Sequence, residues 1–317
     1  MAVYTALSEA EIADFIARYD IGAFRSATGI TEGIENSNYL VETESGRYIL
    51  TLFEQRTKLD DLPYFVHLMQ WFVSRGIPCP LPVERIDGGV LGALKEKPAL
   101  LVTFLKGGGV GGIRMEHLPQ LGQLVANMHI AGMEFPHRRD NALSLAGWQQ
   151  LVLRIGDSAD RIEPGLAALI REEYNFLEES WPNGLPSGPV HADLFPDNVF
   201  FVRDRGSFKL SGVIDFYFAC HEMWAYDMAV CVNAWCFDDR HRFVPERVQA
   251  LMAAYNDIRP MNDEENMAMP ILLRGAALRF LLTRTYDWLN TPDDAQVVKK
   301  DPLEYSAKLR FFQECVA

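Results

Sequence analysis

The sequence predicts an α+β protein of two lobes, a small β-rich N-terminal lobe and a larger, mainly helical C-terminal lobe. Segments of strand character lie before residue 106, a glycine-dense segment follows them, and apolar residues at helical spacing dominate the remainder. A chain of 317 residues is long enough for two domains. We expect the lobes at 1–106 and 107–317. A single domain with a large insertion is the alternative.

The N-terminal lobe is expected to begin with a short helix. Ser8 and Glu11 have the spacing of a capping box ahead of apolar residues at helical intervals. Gly22 is expected to end this helix. Apolar residues at helical spacing predict a second helix at 59–73. The segments with strand character are 24–30, 38–43, 47–53 and 98–105.

The C-terminal lobe is expected to be mostly helical. It follows the segment KGGGVGG at 106–112, whose dense glycines cannot hold the interior of a helix or strand and therefore predict a linker. Beyond it, only 199–202 and 210–214 have strand character. Apolar spacing predicts helices at 115–131, 166–180, 224–235, 245–256, 263–288 and 302–315.

The net charge limits the classes of partner. The chain has 43 acidic and 30 basic residues, a formal charge of -13, so its field repels nucleic acids and anionic membranes. The N-terminus lacks a basic-then-apolar signal pattern, and no apolar run approaches the roughly 20 residues of a spanning helix. We expect a cytoplasmic protein without nucleic-acid or membrane partners. Its five cysteines, in apolar or helical surroundings, are expected to be reduced and buried.

The clearest chemical signal lies in the segment VHADLFPDNVFF at 190–201. Phosphoryl transfer requires a carboxylate to receive the hydroxyl proton and oxygen ligands that hold Mg²⁺ on the phosphates. Asp193 and Asn198 have the spacing of the base and a metal ligand in the protein-kinase catalytic loop. Asp215 ends a later apolar strand, where the second metal ligand is expected. The pattern predicts a kinase in which His191 orients the loop by hydrogen bonding.

Each of these residues also has a structural interpretation. Asp193 and Asn198 can cap a turn, and Asp215 can pair with an arginine. For any one residue alone, that interpretation is favoured. The residues together, each at a strand end, favour catalysis.

The loop GITEGIENSN at 29–38 is a candidate phosphate-binding segment. It joins two predicted strands and is rich in residues that expose backbone amides, which can cradle phosphates. A plain hairpin turn has a similar composition. The residues expected to bind nucleotide here are Gly33, Asn36, Ser37 and Asn38.

The sequence resembles the aminoglycoside-phosphotransferase-like small-molecule kinases, and within them the homoserine kinase branch of the bacterial threonine pathway. The VHADLFPDNVFF segment carries the superfamily resemblance. The strings that indicate the homoserine branch are GIENSNY, LTLFE and VNAWC, and the resemblance extends to KDPLEY near the C-terminus.

This resemblance implies a two-lobed protein-kinase-like fold with ATP in its cleft, Mg²⁺ as cofactor and L-homoserine as acceptor, giving O-phospho-L-homoserine. It assigns Asp193 as the catalytic base, Asn198 and Asp215 as metal ligands, and Asp227 as a structural residue at a helix start. The positions that match the adenine-facing hinge are Thr103, Phe104 and Leu105.

One departure from the family pattern concerns the third strand. Most of the superfamily has a lysine there that pairs with the nucleotide phosphates, and this chain has Thr51. The phosphate-binding cation is therefore unassigned, since Arg47, Arg56 and Lys58 are only neighbours in sequence. Two alternatives follow: a kinase of another alcohol, such as choline, a sugar or an aminoglycoside, and a non-catalytic nucleotide-binding regulator.

The acceptor implied by the resemblance is a zwitterion, which requires a cation or amide donors for its carboxylate and acceptors or an aromatic face for its ammonium. The residues chosen for this role are Tyr217, Asn233 and Arg279. A single helical arginine is more often a solvated or packing residue.

Overall fold

The strands of the N-terminal region form one antiparallel sheet of five strands in the order β1-β2-β3-β5-β4. The computed structural model describes residues 5–30, 36–54, 58–291 and 299–316. The strands are β1 (Phe24–Ile30), β2 (Ser37–Thr43), β3 (Arg47–Leu52), β4 (Leu91–Leu94) and β5 (Lys97–Thr103). Sequence reasoning missed β4 because its LGAL sequence has neither β-branched residues nor alternating polarity.

Two helices accompany this sheet, α1 (Glu9–Ile16) and α2 (Leu62–Ser74). The predicted capping box is confirmed, because the backbone N–H of Ser8 donates to the Glu11 carboxylate at 2.7 Å and Ser8 Oγ accepts from Glu11 N–H. The expectation that Gly22 ends α1 is wrong, since the helix ends at Ile16. The chain then turns so that Tyr19 pairs with Arg85 in an isolated bridge. A 3₁₀ turn at Leu59–Asp61 precedes α2.

Successive side chains of β3 lie on opposite faces of the sheet. Leu50 and Leu52 on β3 are fully buried in a cluster with Phe15 of α1. Thr51 lies between them in sequence, so its side chain is on the opposite face. It pairs with Asn38 of β2 in the strand register. The alternation therefore brings two polar side chains together beside the segment that precedes β2.

The remaining helices are α3 (His117–Gly132), α4 (Leu145–Ile155), α5 (Leu166–Ser180), α6 (Trp224–Trp235), α7 (Pro245–Asn256), α8 (Asp263–Asn290) and α9 (Leu303–Val316). All the predicted helices are present in this half. Sequence reasoning missed α4, which buries only Trp148 and Ile155 among its described side chains and exposes Leu153, so its apolar stripe is thin.

Two short antiparallel pairs occur in the same half. They are β6 (Ser187–Val190) with β9 (Cys220–Met223), and β7 (Val199–Asp204) with β8 (Ser207–Val213). The expectation of only two strands here is wrong. β6 and β9, with sequences SGPV and CHEM, contain residues that rarely favour strands.

The chain divides into two compact units. The first comprises Met1–Lys106 and Ser211–Tyr217, and the second Gly107–Leu210 and Phe218–Ala317. Residues 211–217 join the first unit through a close backbone approach: Val213 N–H donates to Pro78 O at 2.9 Å. A Cβ on Gly212 would lie 2.3 Å from the same oxygen, so only glycine fits there.

Four of the cysteines are buried, and Cys315 is exposed, which contradicts the expectation that all five are buried. Cys315 lies in the last turn of α9 next to Glu314, which is also exposed. In the part of the chain that the structure describes, no helix is long and apolar enough to cross a membrane.

A buried ion pair joins α5 to α8. Glu173 is 1% exposed, and its carboxylate accepts from Arg274 Nε at 2.7 Å and Nη2 at 2.6 Å. Gln313 of α9 donates to the same carboxylate at 2.7 Å. Three helices therefore meet at one charged group whose hydrogen bonds are provided by the protein.

We predict that Arg274→Met lowers the free energy of unfolding by about 3–5 kcal/mol, because it leaves the buried Glu173 carboxylate without its counter-charge. Chemical denaturation of the purified protein measures this. The control is Arg171→Met, which removes an exposed ion pair with Asp157 and should cost less than about 1 kcal/mol. Equal losses in the two variants would contradict the prediction.

Candidate active site

The loop between β6 and β7 holds an aspartate and an asparagine side by side. Asn198 Nδ2 donates to the backbone oxygen of Asp193 at 2.8 Å and to its carboxylate Oδ2 at 3.0 Å. Phe195 N–H also donates to Asp193 O, at 2.8 Å, and Asn198 N–H donates to Phe195 O at 3.0 Å. These successive turns fix the carboxylate and the amide against each other. We call residues 191–198 the catalytic-loop segment.

The Asp193 carboxylate is partly buried, and this burial raises its pKa to about 6. The charges of Arg279 and Lys300 oppose the rise, and Asp197 adds to it. A carboxylate with such a pKa is ionised at neutral pH yet is a stronger proton acceptor than an ordinary aspartate.

His191 is fully buried and takes part in the loop geometry. Its Nδ1 accepts from the backbone N–H of Asp193 at 3.3 Å. An imidazole with no exposed surface that holds a neighbouring backbone group orients the loop. The residue after it, Ala192, has φ +63°, so the chain makes a strained left-handed turn immediately before Asp193.

The strained turn is held by Asp227 in the first turn of α6. The Asp227 carboxylate accepts from the backbone N–H groups of His191 at 3.1 Å and Ala192 at 2.8 Å. Burial alone would raise the pKa of Asp227, but the hydrogen bond from His129 and the N–H donors hold it below its usual value. The structural role implied by the resemblance therefore has a physical basis: a buried charge that fixes the backbone before Asp193.

A chain of buried side chains, linked by hydrogen bonds, leads away from Asp227. His129 Nε2 lies 3.3 Å from Asp227 Oδ2, and its Nδ1 lies 2.8 Å from Tyr255 Oη. Arg259 Nη1 donates to Tyr255 Oη at 2.8 Å, and Arg259 Nη2 donates to the Glu265 carboxylate at 2.8 Å. Since Asp227 can only accept, Nε2 carries the proton of His129 and the Tyr255 hydroxyl donates to Nδ1.

Arg279 of α8 contacts the catalytic-loop segment from another side. Its Nη1 donates to Ala192 O, and its guanidinium lies 4.5 Å from the ring centroid of Phe280. The residue is 2% exposed. Its Nε has no hydrogen-bond partner among the described residues.

Asn233, another residue chosen for the acceptor, is fully buried in α6. Its Nδ2 donates to Ala229 O at 3.0 Å and to Leu273 O at 3.1 Å. It therefore links α6 to α8, and its Oδ1 lacks a partner within the described part of the chain.

The glycine segment that was predicted as a linker packs against the catalytic-loop segment. Val110 N–H donates to Pro196 O at 2.7 Å. A Cβ on Gly109 would lie 2.7 Å from the Cα of Asp197. Small residues there permit this close backbone approach, a function that composition alone did not reveal.

In the first unit, Asp215 follows β8 and is exposed. It has φ +65°, so the chain turns sharply at this carboxylate. Beside it, the ring of Tyr217 lies 5.0 Å from that of Phe53 and 5.7 Å from that of Phe65. Burial raises the pKa of Tyr217, and its hydroxyl is hydrogen-bonded to Thr51. The tyrosine chosen for the acceptor is thus packed among aromatic residues.

The last residues of the candidate phosphate loop form side-chain hydrogen bonds within the first unit. Ser37 is fully buried, and its Oγ donates to the Glu54 carboxylate at 2.7 Å. Asn36 Oδ1 accepts from Glu54 N–H at 3.2 Å. Asn38 Oδ1 accepts from Thr51 Oγ1 at 2.7 Å. These contacts anchor the end of the loop, while Gly33 lies outside the described residues.

The residues matched to the adenine-facing hinge follow β5. Thr103 N–H donates to Leu81 O at 2.9 Å, and Thr103 Oγ1 accepts from Leu81 N–H at 2.9 Å. Phe104 N–H donates to Arg47 O at 3.2 Å, and the Arg47 guanidinium lies 4.1 Å from the Phe104 ring. Leu105 is partly buried. Hydrogen bonds to Leu81 and Arg47 therefore fix the backbone at Thr103 and Phe104.

A largely buried glutamate that sequence reasoning missed contacts Asn36 and Ser37. Glu54 accepts from Ser37 Oγ, from Thr5 Oγ1 at 2.8 Å and from Lys97 Nζ. Its position just after an apolar strand, in the string LTLFE, was the available signal. Its partner Lys97 cannot be identified from sequence spacing, because Glu54 follows β3 whereas Lys97 begins β5, 43 positions later.

We predict that the stability of the protein falls as pH drops below about 6.5, and that His129 contributes to the slope. Burial lowers the pKa of His129, with Asp227 opposing the shift, so the proton is taken up preferentially by the unfolded chain. One such proton corresponds to up to about 1.4 kcal/mol per pH unit.

Urea midpoints at several pH values between 5 and 8 measure this slope. His129→Gln, which does not titrate, should have a shallower slope than the original protein. The control is His241→Gln, the same substitution at an exposed histidine. Identical slopes in all three proteins would refute the assignment.

Comparisons with known proteins agree with this architecture. Residues 26–261 match the phosphotransferase enzyme family. A homoserine kinase of Brucella anthropi is 51% identical over 99% of this chain and 95% of its own length. A homoserine kinase of Sinorhizobium fredii is 50% identical over 100% of this chain and 96% of its own length.

Solved structures share the fold at low sequence identity. A microcompartment-associated aminopropanol kinase has a TM-score of 0.71 and 18% identity, covering 97% of this chain and 96% of its own. Spectinomycin phosphotransferase, in complex with ADP and spectinomycin, has a TM-score of 0.69 and 15% identity, covering 98% of this chain and 95% of its own. These similarities confirm the predicted α+β, kinase-like fold class. Because residues 26–261 match the family and relatives share about half of their residues with it over nearly the full length, the chain belongs to the phosphotransferase enzyme family.

Proposed function

We propose that the protein is an ATP-dependent kinase that transfers the γ-phosphoryl group of ATP to the hydroxyl of L-homoserine, giving O-phospho-L-homoserine and ADP. The observation that carries the acceptor assignment is the near-full-length similarity to homoserine kinases. The reaction belongs to threonine biosynthesis, and we place the enzyme in the cytoplasm.

In the proposed reaction, Asp193 is the general base. Its Oδ2 is held by Asn198, and its raised pKa suits it to receive the hydroxyl proton of the acceptor. The acceptor oxygen forms the new bond to the γ-phosphorus, the bond from that phosphorus to the bridging oxygen breaks, and ADP leaves. His191, Asp227 and Arg279 position the backbone on which Asp193 stands.

We propose that Asn198 and Asp215 hold Mg²⁺. Both hydrogen bonds donated by Asn198 to Asp193 come from Nδ2, so its amide oxygen remains for a hard cation. The described residues include no group of three His, Cys, Asp or Glu that could hold a metal. This fits Mg²⁺, which takes few protein ligands and completes its shell with phosphate oxygens and water. The bound ion would neutralise phosphate charge.

We assign nucleotide binding to the lobe at 1–106 and catalysis with acceptor binding to the lobe at 107–317. The backbone at Thr103, Phe104 and Leu105 would face the adenine. The segment that contains Gly33 and ends at Asn36, Ser37 and Asn38 would offer amides to the phosphates, because the described side chains there are engaged within the protein.

Of the acceptor residues, Arg279 has the strongest support. Its Nε is a buried donor without a partner among the described residues, and it would suit the acceptor carboxylate. We also propose that Asn233 and Tyr217 contact the acceptor. Asn233 has a buried Oδ1 without a partner among the described residues, and Tyr217 lies beside Asp215.

We predict that ADP release with magnesium and ATP depends on L-homoserine, and that Asp193→Asn lowers kcat by about 10²–10⁴-fold because the general base is lost. A coupled ADP assay measures this with L-homoserine, L-serine, L-threonine, choline and an aminoglycoside as acceptors. Asp204→Asn, at an exposed carboxylate at the end of β7, is the matched control and should retain activity.

A preference for a different acceptor would refute the homoserine assignment and leave the kinase chemistry in place. ATP and magnesium binding without turnover of any acceptor would instead favour a non-catalytic nucleotide-binding regulator.

We also predict that kcat/KM falls about tenfold per pH unit below about pH 6, because burial raises the pKa of Asp193 to about 6 and the protonated carboxyl cannot accept the hydroxyl proton. Rates are measured with both substrates well below their KM, so that the profile describes the free enzyme. Enzyme returned from acid to neutral pH must recover its activity. A flat profile down to pH 5 would contradict the base assignment.

A further inference from the structure

The third strand lacks the lysine that most of the superfamily uses for the phosphates. Thr51 is 3% exposed, and its hydroxyl is bound to Asn38, so this position offers neither charge nor a free donor. In the same unit, Lys97 binds Glu54 and Thr5. Its charge is therefore compensated by a largely buried carboxylate.

Phosphoryl transfer spreads negative charge over the equatorial oxygens of the transferred group, and catalysis depends on cations placed near them. That group must lie next to the acceptor hydroxyl, which in the proposed reaction lies next to Asp193. A cation of the second unit that contacts the catalytic-loop segment is therefore suitably placed.

Among the described residues, Arg279 and Lys300 contact this segment, and they differ in how strongly other groups already bind them. Arg279 is buried and donates to Ala192 O, so it holds the backbone. Lys300 Nζ lies 3.5 Å from the Asp197 carboxylate and 5.3 Å from the Phe195 ring centroid. Both contacts of Lys300 fall on the turn between Asp193 and Asn198.

The ion pair of Lys300 with Asp197 is weak. The two side chains are 48% and 67% exposed at a separation of 3.5 Å, and such pairs contribute about 0–1 kcal/mol. By contrast, Lys308 is 3% exposed and is held by both Glu304 and Asn233 O. The Lys300 ammonium, on a flexible stem, can move to a doubly charged phosphoryl group at little cost.

We propose that Lys300 is a catalytic cation that binds the transferred phosphoryl group and supplies positive charge that the third strand of this chain lacks. The proposal rests on the proposed function. Lys300 lies in the segment that leads into α9, in the same unit as Asp193. When no phosphoryl group is present, Phe195 and Asp197 hold its ammonium beside the catalytic-loop segment.

The first test compares Lys300→Met with Lys299→Met, which removes the same charge one residue away. We expect kcat with L-homoserine to fall about 10²-fold or more in Lys300→Met, the cost of losing one stabilising donor in a transition state. Lys299→Met should stay within about threefold of the original rate, and both variants should keep their melting temperature. A kcat for Lys300→Met equal to that of Lys299→Met would overturn the proposal.

The second test restores the charge chemically. Lys300→Cys is made in a Cys315→Ser background, because the other four cysteines are buried. Alkylation with 2-bromoethylamine rebuilds an ammonium at this position and should recover at least about tenfold in kcat. Alkylation with iodoacetamide, which adds a neutral amide, should recover none. Equal recovery with both reagents would show that bulk, not charge, is required.

A third measurement requires no acceptor. The original protein should bind magnesium, ADP and aluminium fluoride, which together mimic the transferred group, more tightly than magnesium and ADP alone. Lys300→Met should lose that difference while binding magnesium and ADP within about threefold of the original affinity; an unchanged difference would overturn the proposal. If homoserine proves inert in the original protein, the proposed function fails, and this calorimetric comparison still decides the role of Lys300.

Discussion

The buried carboxylate of Asp227 is the interaction on which the catalytic-loop segment depends. The segment turns through a left-handed conformation at Ala192, which a residue with a Cβ adopts only at a cost. Two N–H groups at this turn would be buried without partners, and Asp227 accepts from both. The same turn directs Asp193 and Asn198 toward each other. A neutral acceptor would form weaker bonds at this point, because charge-assisted bonds are roughly twice as strong.

A buried carboxylate needs compensation, and hydrogen bonds supply it at Asp227. His129 donates to Asp227, Tyr255 donates to His129, and Arg259 donates to Tyr255. The positive charge thus lies two side chains away, paired with Glu265. This arrangement leaves the backbone N–H groups as the closest donors to Asp227, so the loop conformation and the ionisation of the carboxylate stabilise each other.

How far the sequence predicts the structure depends on the range of the interactions. Capping boxes, alternating strands and helical stripes are local, and the helices of the second half other than α4 and the strands β1, β2 and β3 follow from them. Asp193 and Asn198 are five positions apart in one loop, so their proximity is also predictable. The missed features are non-local or weakly patterned. They are α4 with its thin apolar stripe, the ion pair between Glu54 and the distant Lys97, and the close packing of Gly109 on Asp197.

The threonine on the third strand shows why a missing motif residue need not mean a missing function. What phosphoryl transfer constrains is the position of positive charge relative to the transferred group, not the strand that carries it. A lysine on the sheet places that charge on the nucleotide side of the reaction. A lysine on the segment before α9 places it on the side of the base and the acceptor. Because Lys300 contacts the turn that carries Asp193 and Asn198, one piece of backbone positions both its charge and the proposed general base. Displacement of that turn would disturb both together.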